Sequence, residues 1–218
     1  MMPSEPQGQY FSRQDESNDE FFYSQPRKVV HIDDNAIQTV SAVFRDFIPA
    51  DSVVLDFMSS WRSHWPHGHL KRRLVGLGMN VEEMLDNPDL DEHVIHNVNE
   101  DPLLPFDDEY FDAVVITVSV QYLTQPVSVC KEINRILKTG GVFIVSFSNR
   151  MFPTKAVSIW RSLDDNGHLD LVSSYMDYAG GFGDIKGGLA NAKDSPPNDP
   201  LYVVMGTKVD INDSVGRY

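Results

Sequence analysis

The sequence predicts an α/β fold: a doubly wound, mostly parallel sheet of seven strands, with helices on both faces and an antiparallel last strand. Three observations carry this expectation. Strand-length apolar runs alternate with helical patterns, which implies βαβ units joined by right-handed crossovers. The run Phe111–Ser119 is apolar almost throughout, as in a strand covered on both faces. Two strand-like segments near the C-terminus, around Ile185 and over Leu201–Val209, are joined by a loop and suit an antiparallel edge.

The elements follow in order. Residues 1–30 are polar at the start, lack periodicity, and read as a mobile or loosely packed segment ahead of a single domain over 31–218. From Asp33 the spacing of Ile37, Val40, Val43, Phe44 and Phe47 is helical, and Pro49 ends it. Ser52–Phe57 is the first strand. Trp61–Arg73 looks helical but is interrupted by Pro66 and Gly68. Leu74–Met79 is the second strand, Val81–Asn87 a short helix, and His93–Val98 the third strand. After the fourth strand, Pro126–Leu137 forms a helix with a buried stripe that includes Val129, Cys130 and Ile133, and Thr139-Gly140-Gly141 stops it. Val142–Ser148 is the fifth strand. Helical stretches follow over Thr154–Ser162 and Leu169–Tyr178, and Ala192–Pro200 is a loop before the last strand.

Composition narrows the function. A net charge of −14 argues against nucleic acid as a partner, because such binding rests on Lys and Arg neutralising phosphates. Lys71-Arg72-Arg73 is expected to be a solvated helix face. No apolar run approaches the ~20 residues of a membrane span. The single cysteine, Cys130, rules out an internal disulfide and fits a reducing compartment, so an intracellular, soluble, cytoplasmic protein is expected. The histidines His64, His67, His69, His93 and His96 lack a metal-ligand spacing, so no metal site is expected. No pattern specifies an oligomeric state.

The stretch from Pro102 to Asn149 contains an LPF element at Leu104–Phe106, FDAV at Phe111–Val114, a helix ending in LKTGG at Leu137–Gly141, and a strand. This block resembles the centre of the class I S-adenosylmethionine-dependent methyltransferases of the type 11, small-molecule kind. With weaker flanks, the resemblance runs from about Val53 to Lys208. It implies a Rossmann-like methyltransferase fold, S-adenosylmethionine as cofactor and a small-molecule acceptor.

Carried over residue by residue, the resemblance puts the cofactor loop at Asp56-Phe57-Met58-Ser59-Ser60-Trp61-Arg62. The family form is DxGxGxG; here Asp56 is kept and every glycine is replaced. Two outcomes are open: Met58, Ser59 and Ser60 still offer N–H and hydroxyl groups to the ligand, or Trp61 and Trp65 fill the pocket. At the end of the second strand, Gly78 stands where the family has the acidic residue that binds both ribose hydroxyls. Asn80 is a weaker substitute, and Met79 matches the apolar residue that packs on adenine. Asn99 and Glu100 lie near the expected adenine amino group. Thr117, Ser119, Gln121 and Tyr122 leave the fourth strand on the methyl-transfer side.

As catalytic candidates the sequence offers His64 as an acid or base, and Tyr122 as a π face for the sulfonium. Two functions follow: methyl transfer to a small molecule, or a non-catalytic methyltransferase-like module that binds a nucleoside or a protein. A dinucleotide oxidoreductase is disfavoured, since no GxGxxG follows a strand.

Overall fold

The computed structural model describes residues 8–191 and 199–210. Its seven strands are β1 (Ser52–Phe57), β2 (Lys71–Gly78), β3 (Glu92–Ile95), β4 (Phe111–Thr117), β5 (Leu137–Phe147), β6 (Phe182–Leu189) and β7 (Tyr202–Lys208). They form one sheet in the order β3-β2-β1-β4-β5-β7-β6. β1 to β5 are mutually parallel, and β7 runs antiparallel to both β5 and β6. The doubly wound sheet with an antiparallel last strand is the expected one. The chain builds outward from β1 through β2 to β3, then returns to lay β4 on the other side of β1. That reversal opens a crevice above the carboxyl ends of β1 and β4.

The helices are α1 (Asp19–Tyr23), α2 (Asp34–Phe47), α3 (Val81–Leu85), α4 (Pro126–Ile136), α5 (Ser158–Ser162) and α6 (Asp165–Ala179). α2 starts where the Asp33 carboxylate accepts the N–H of Ala36, and ends ahead of Pro49. Strand alternation divides the core into two layers. On one face Ala36, Val40 and Phe44 of α2 pack on Val54, Leu74, Val115 and Ile144. On the other, Leu55, Phe57, Val114, Ile116 and Phe143 meet Val129 and Ile133 of α4 and Val172 and Met176 of α6.

Several elements differ from expectation. Residues 61–70 form no helix: Pro66 and Gly68, the latter at φ +74°, make a turn, and the chain enters β2 at Lys71. Lys71, Arg72 and Arg73 therefore begin a strand, and each pairs with a carboxylate, of Asp91, Asp51 and Glu92 respectively. The LKTGG stretch does not simply stop α4. It starts β5 directly, with Leu137 paired to Phe111, a register shift before Ala113, and Gly140 at φ +82°. The helix expected from Thr154 is confined to Ser158–Ser162, and the next one begins at Asp165. The expected loop over Ala192–Pro200 lies largely outside the described residues.

The largest difference is at the N-terminus. From residue 8 onward the segment expected to be loose packs on the domain. Phe11 is buried in the core, and Asp19 receives two bonds from the Arg13 guanidinium at 2.7 and 2.8 Å. The Lys155 ammonium, 0% exposed, lies 3.1 Å from Asp19 and 3.4 Å from Asp15, and donates to the Ser17 carbonyl. Sequence periodicity missed this because the segment is held by ions rather than by an apolar stripe. Removing one partner of such a buried cluster leaves the others uncompensated. Lys155→Met is accordingly expected to cost about 3 kcal/mol in urea unfolding and to make residues 8–30 susceptible to limited proteolysis.

Candidate functional site

A cavity of about 350 Å³ opens in the crevice above β1, β2 and β4. Its floor is the turn after β1. That turn needs a left-handed residue, and Met58 supplies it at φ +59°, at the position of the family's first loop glycine. The Ser59 N–H then donates to the Leu77 carbonyl of β2 at 2.7 Å. The hydroxyls of Ser59 and Ser63 both donate to one oxygen of Asp56 at 2.6 Å. Asp56 is 4% exposed. Burial pushes its carboxyl up to about 6, against the opposing pull of the two hydroxyls. Asp56 thus braces the loop from below.

Gly78 is where the loop rests. A Cβ at this glycine would stand 2.3 Å from the Ser59 carbonyl oxygen and 3.0 Å from the Met84 sulfur. The glycine-free loop and the glycine at 78 are therefore coupled by packing, since the loop occupies the space that a side chain at 78 would need.

The cavity brings together Met58, Ser59, Ser60, Gly78, Met79, Asn80, Asn99, Thr117, Ser119 and Tyr122. Neither tryptophan fills it. Trp61 donates its indole N–H to the Val29 carbonyl, and Trp65 packs near Phe44 on the α2 face. Asp56 and His64 lie outside it, along a smaller cavity of about 80 Å³ beneath the loop. His64 sits at φ +56°, and burial holds its ring below the usual imidazole range. It is not brought to the Tyr122 side. Among the described residues no three His, Cys, Asp or Glu side chains cluster as metal ligands would.

Four of the predicted polar residues beyond the loop have the following protein partners. Asn80 caps α3 through the Glu83 N–H and donates to the Tyr23 carbonyl. Asn99 donates to Asp19 and to the Tyr122 carbonyl, and accepts from the Thr124 N–H and hydroxyl. The Tyr122 hydroxyl accepts the Phe152 N–H at 2.8 Å, and its ring lies near that of Phe152. Gln121 is fully buried and donates to the Val118 and Arg150 carbonyls. Thr117 borders the cavity, and its hydroxyl, like the Gln121 side-chain oxygen, is buried without a partner.

The sequence missed a whole wall. Asp19, Tyr23, Arg27, Val30 and His31 of the N-terminal segment, with Arg150 and Phe152 after β5, close the outer side. The Arg27 guanidinium stands 4.2 Å from the centre of the Phe22 ring. Glu83 of α3 was also missed. It is 8% exposed and accepts the Arg27 N–H and, at 2.6 Å, the Ser60 hydroxyl. The acidic run Glu82-Glu83 was the only signal, and it resembles an ordinary helix start.

Comparison with known proteins agrees with this architecture. A methyltransferase domain family matches residues 76–145. The biotin biosynthesis bifunctional protein BioHC of Teredinibacter turnerae is 28% identical over 123 residues, covering 53% of this chain but only 22% of that protein. The chain thus spans about a fifth of that relative. An S-adenosylmethionine-dependent methyltransferase from Mesorhizobium loti superposes with a TM-score of 0.54 at 12% identity, covering 78% of this chain and 98% of that one. Phosphoethanolamine N-methyltransferase 2 of Haemonchus contortus, solved with S-adenosylmethionine, gives 0.55 at 13% identity, covering 79% of this chain and 52% of that one. A chain of the Haloferax volcanii complex between the Trm112 methyltransferase activator and a methyltransferase gives 0.55 at 16%, covering 79% and 90%. The chain thus shares the fold of these S-adenosylmethionine-dependent methyltransferases, and its middle block matches the methyltransferase domain family.

Two expected outcomes test this geometry. Gly78→Ala must displace the Ser59 backbone and should cost ~1–3 kcal/mol, read as a lower urea midpoint. Asp56, whose carboxyl is pushed up to about 6 from its ordinary 3.8, binds more protons folded than unfolded between those values. Its contribution to stability therefore falls as pH rises through that window, by on the order of 2–3 kcal/mol, and the penalty persists above it. Asp56→Asn should abolish that fall in denaturation curves taken from pH 4 to 8.

Proposed function

We propose that this protein binds S-adenosylmethionine in the crevice cavity and transfers its methyl group to a small-molecule acceptor. The observation that carries the reading is the position of the cavity, at the strand-order reversal. A cavity of about 350 Å³ is also of the size that small-ligand sites have.

The residues fit the cofactor in an altered way. Met58 and Ser60 would border its methionine part, Met79 and Asn97 its base, and Thr117 the side facing the acceptor. Asp56 holds the loop rather than the ligand. The cofactor supplies an electrophilic methyl group on a sulfonium centre. What the chain contributes is position: Tyr122 is immobilised by the Phe152 N–H, and the N-terminal wall shields the crevice from water. Alignment of this kind can supply most of the rate when the acceptor is already nucleophilic, without a dedicated base. The enclosing wall and the charge of −14 suit a small acceptor rather than a polynucleotide.

A non-catalytic nucleoside-binding module is the second reading. It is favoured by the commitment of Asn99 to four protein hydrogen bonds, two donated and two accepted.

Calorimetric titration with S-adenosylhomocysteine is expected to show saturable binding. It should also stabilise the protein by ~2.7 kcal/mol at a hundredfold excess over Kd. No binding at millimolar ligand overturns both readings. Thr117→Val should leave the free protein at least as stable and weaken binding about fivefold, as loss of one ligand hydrogen bond would. An unchanged affinity would remove Thr117 from the site.

A further inference from the structure

A nucleoside that enters this cavity needs a partner for its ribose. The acidic residue that serves similar proteins cannot exist here, because the Ser59 carbonyl stands 2.3 Å from where a Cβ on Gly78 would be. Only two carboxylates line the cavity among the described residues, those of Asp19 and Glu83. Asp19 is committed to Arg13, Lys155 and Asn99.

Glu83 is not so committed. It stands one short helix beyond Gly78 and borders the same cavity. Its two oxygens hold one protein donor each: the Arg27 N–H on Oε1 and the Ser60 hydroxyl on Oε2. An ionised carboxylate offers about four lone-pair positions, so each oxygen can accept one further bond. The two donors also fix the carboxylate plane. One comes from the remodelled loop and the other from the N-terminal wall, so the group is held ready before a ligand arrives.

We propose that Glu83 binds a vicinal diol in this cavity, accepting the 2′ and 3′ hydroxyls of a ribose, one on each oxygen. The displaced acidic function has moved from the end of β2 into the first turn of α3. The assignment rests on the nucleoside binding proposed above.

The test compares S-adenosylhomocysteine with its 2′-deoxy analogue by calorimetry, on the whole chain. A hydrogen bond to a charged group is worth roughly tenfold or more in affinity. The wild type should therefore prefer the ribose form by about tenfold. Glu83→Gln should lose about that factor for the ribose form and little for the deoxy form, so the preference collapses. Should the Gln variant fail to fold, Glu83→Asp, which withdraws the carboxylate by one methylene, should show the same collapse. Equal loss for both ligands marks a purely structural glutamate and overturns the assignment, as does a wild type without preference or a variant that retains it. Absence of any binding by the wild type instead overturns the nucleoside reading beneath it.

Discussion

The site depends on how the chain turns after β1. Asp56 accepts two serine hydroxyls from the same loop, and the loop in turn lays the Ser59 carbonyl on Gly78. Each part constrains the next. With Asp56 drawn inward, the loop packs on β2; with the loop on β2, residue 78 must lack a side chain. Met58 accepts a left-handed conformation so that the turn can be made at all. A glycine-free loop therefore makes the turn after β1 with Met58 in the left-handed position.

This packing leaves the cavity open, with Ser59 and Gly78 in close backbone contact along its lining. Polar groups that would otherwise face a ligand, on Asn80 and Asn99, are turned toward the segment around α1. One side of the crevice has become a protein–protein contact within the chain. The opposite side, at Thr117, keeps an unsatisfied hydroxyl.

The fold was legible because its signals are local. The unbroken apolar run of β4, the stripe on α4 and the alternation of elements each survive without knowledge of tertiary partners. The block from Leu104 to Gly141 was equally legible as a resemblance. What failed had non-local causes. Lys71–Arg73 looked like a helix face because their carboxylate partners, at Asp51, Asp91 and Glu92, are contributed by other elements. The α1 segment looked loose because its anchor is Lys155, far along the chain. At the site, the candidates Met58 to Ser60, Gly78 to Asn80, Asn99, Thr117 and Tyr122 line the larger cavity, whereas Asp56 and His64 line only the smaller one. At Glu83 the only signal was that of an ordinary helix start, which does not say that its acid faces inward.

The anchoring of the N-terminal segment also orders the events of folding. Lys155 meets Ser17 across 138 positions of chain, and Ser158 meets Gln9 across 149. Contacts of such separation form slowly, because the intervening loop must close first. On a ribosome, Gln9 to Ser17 must wait for β5 and the stretch beyond it before they can settle. Strands β1 to β5 can therefore pair while the crevice is still open on one side, and the wall closes once the stretch after β5 is in place.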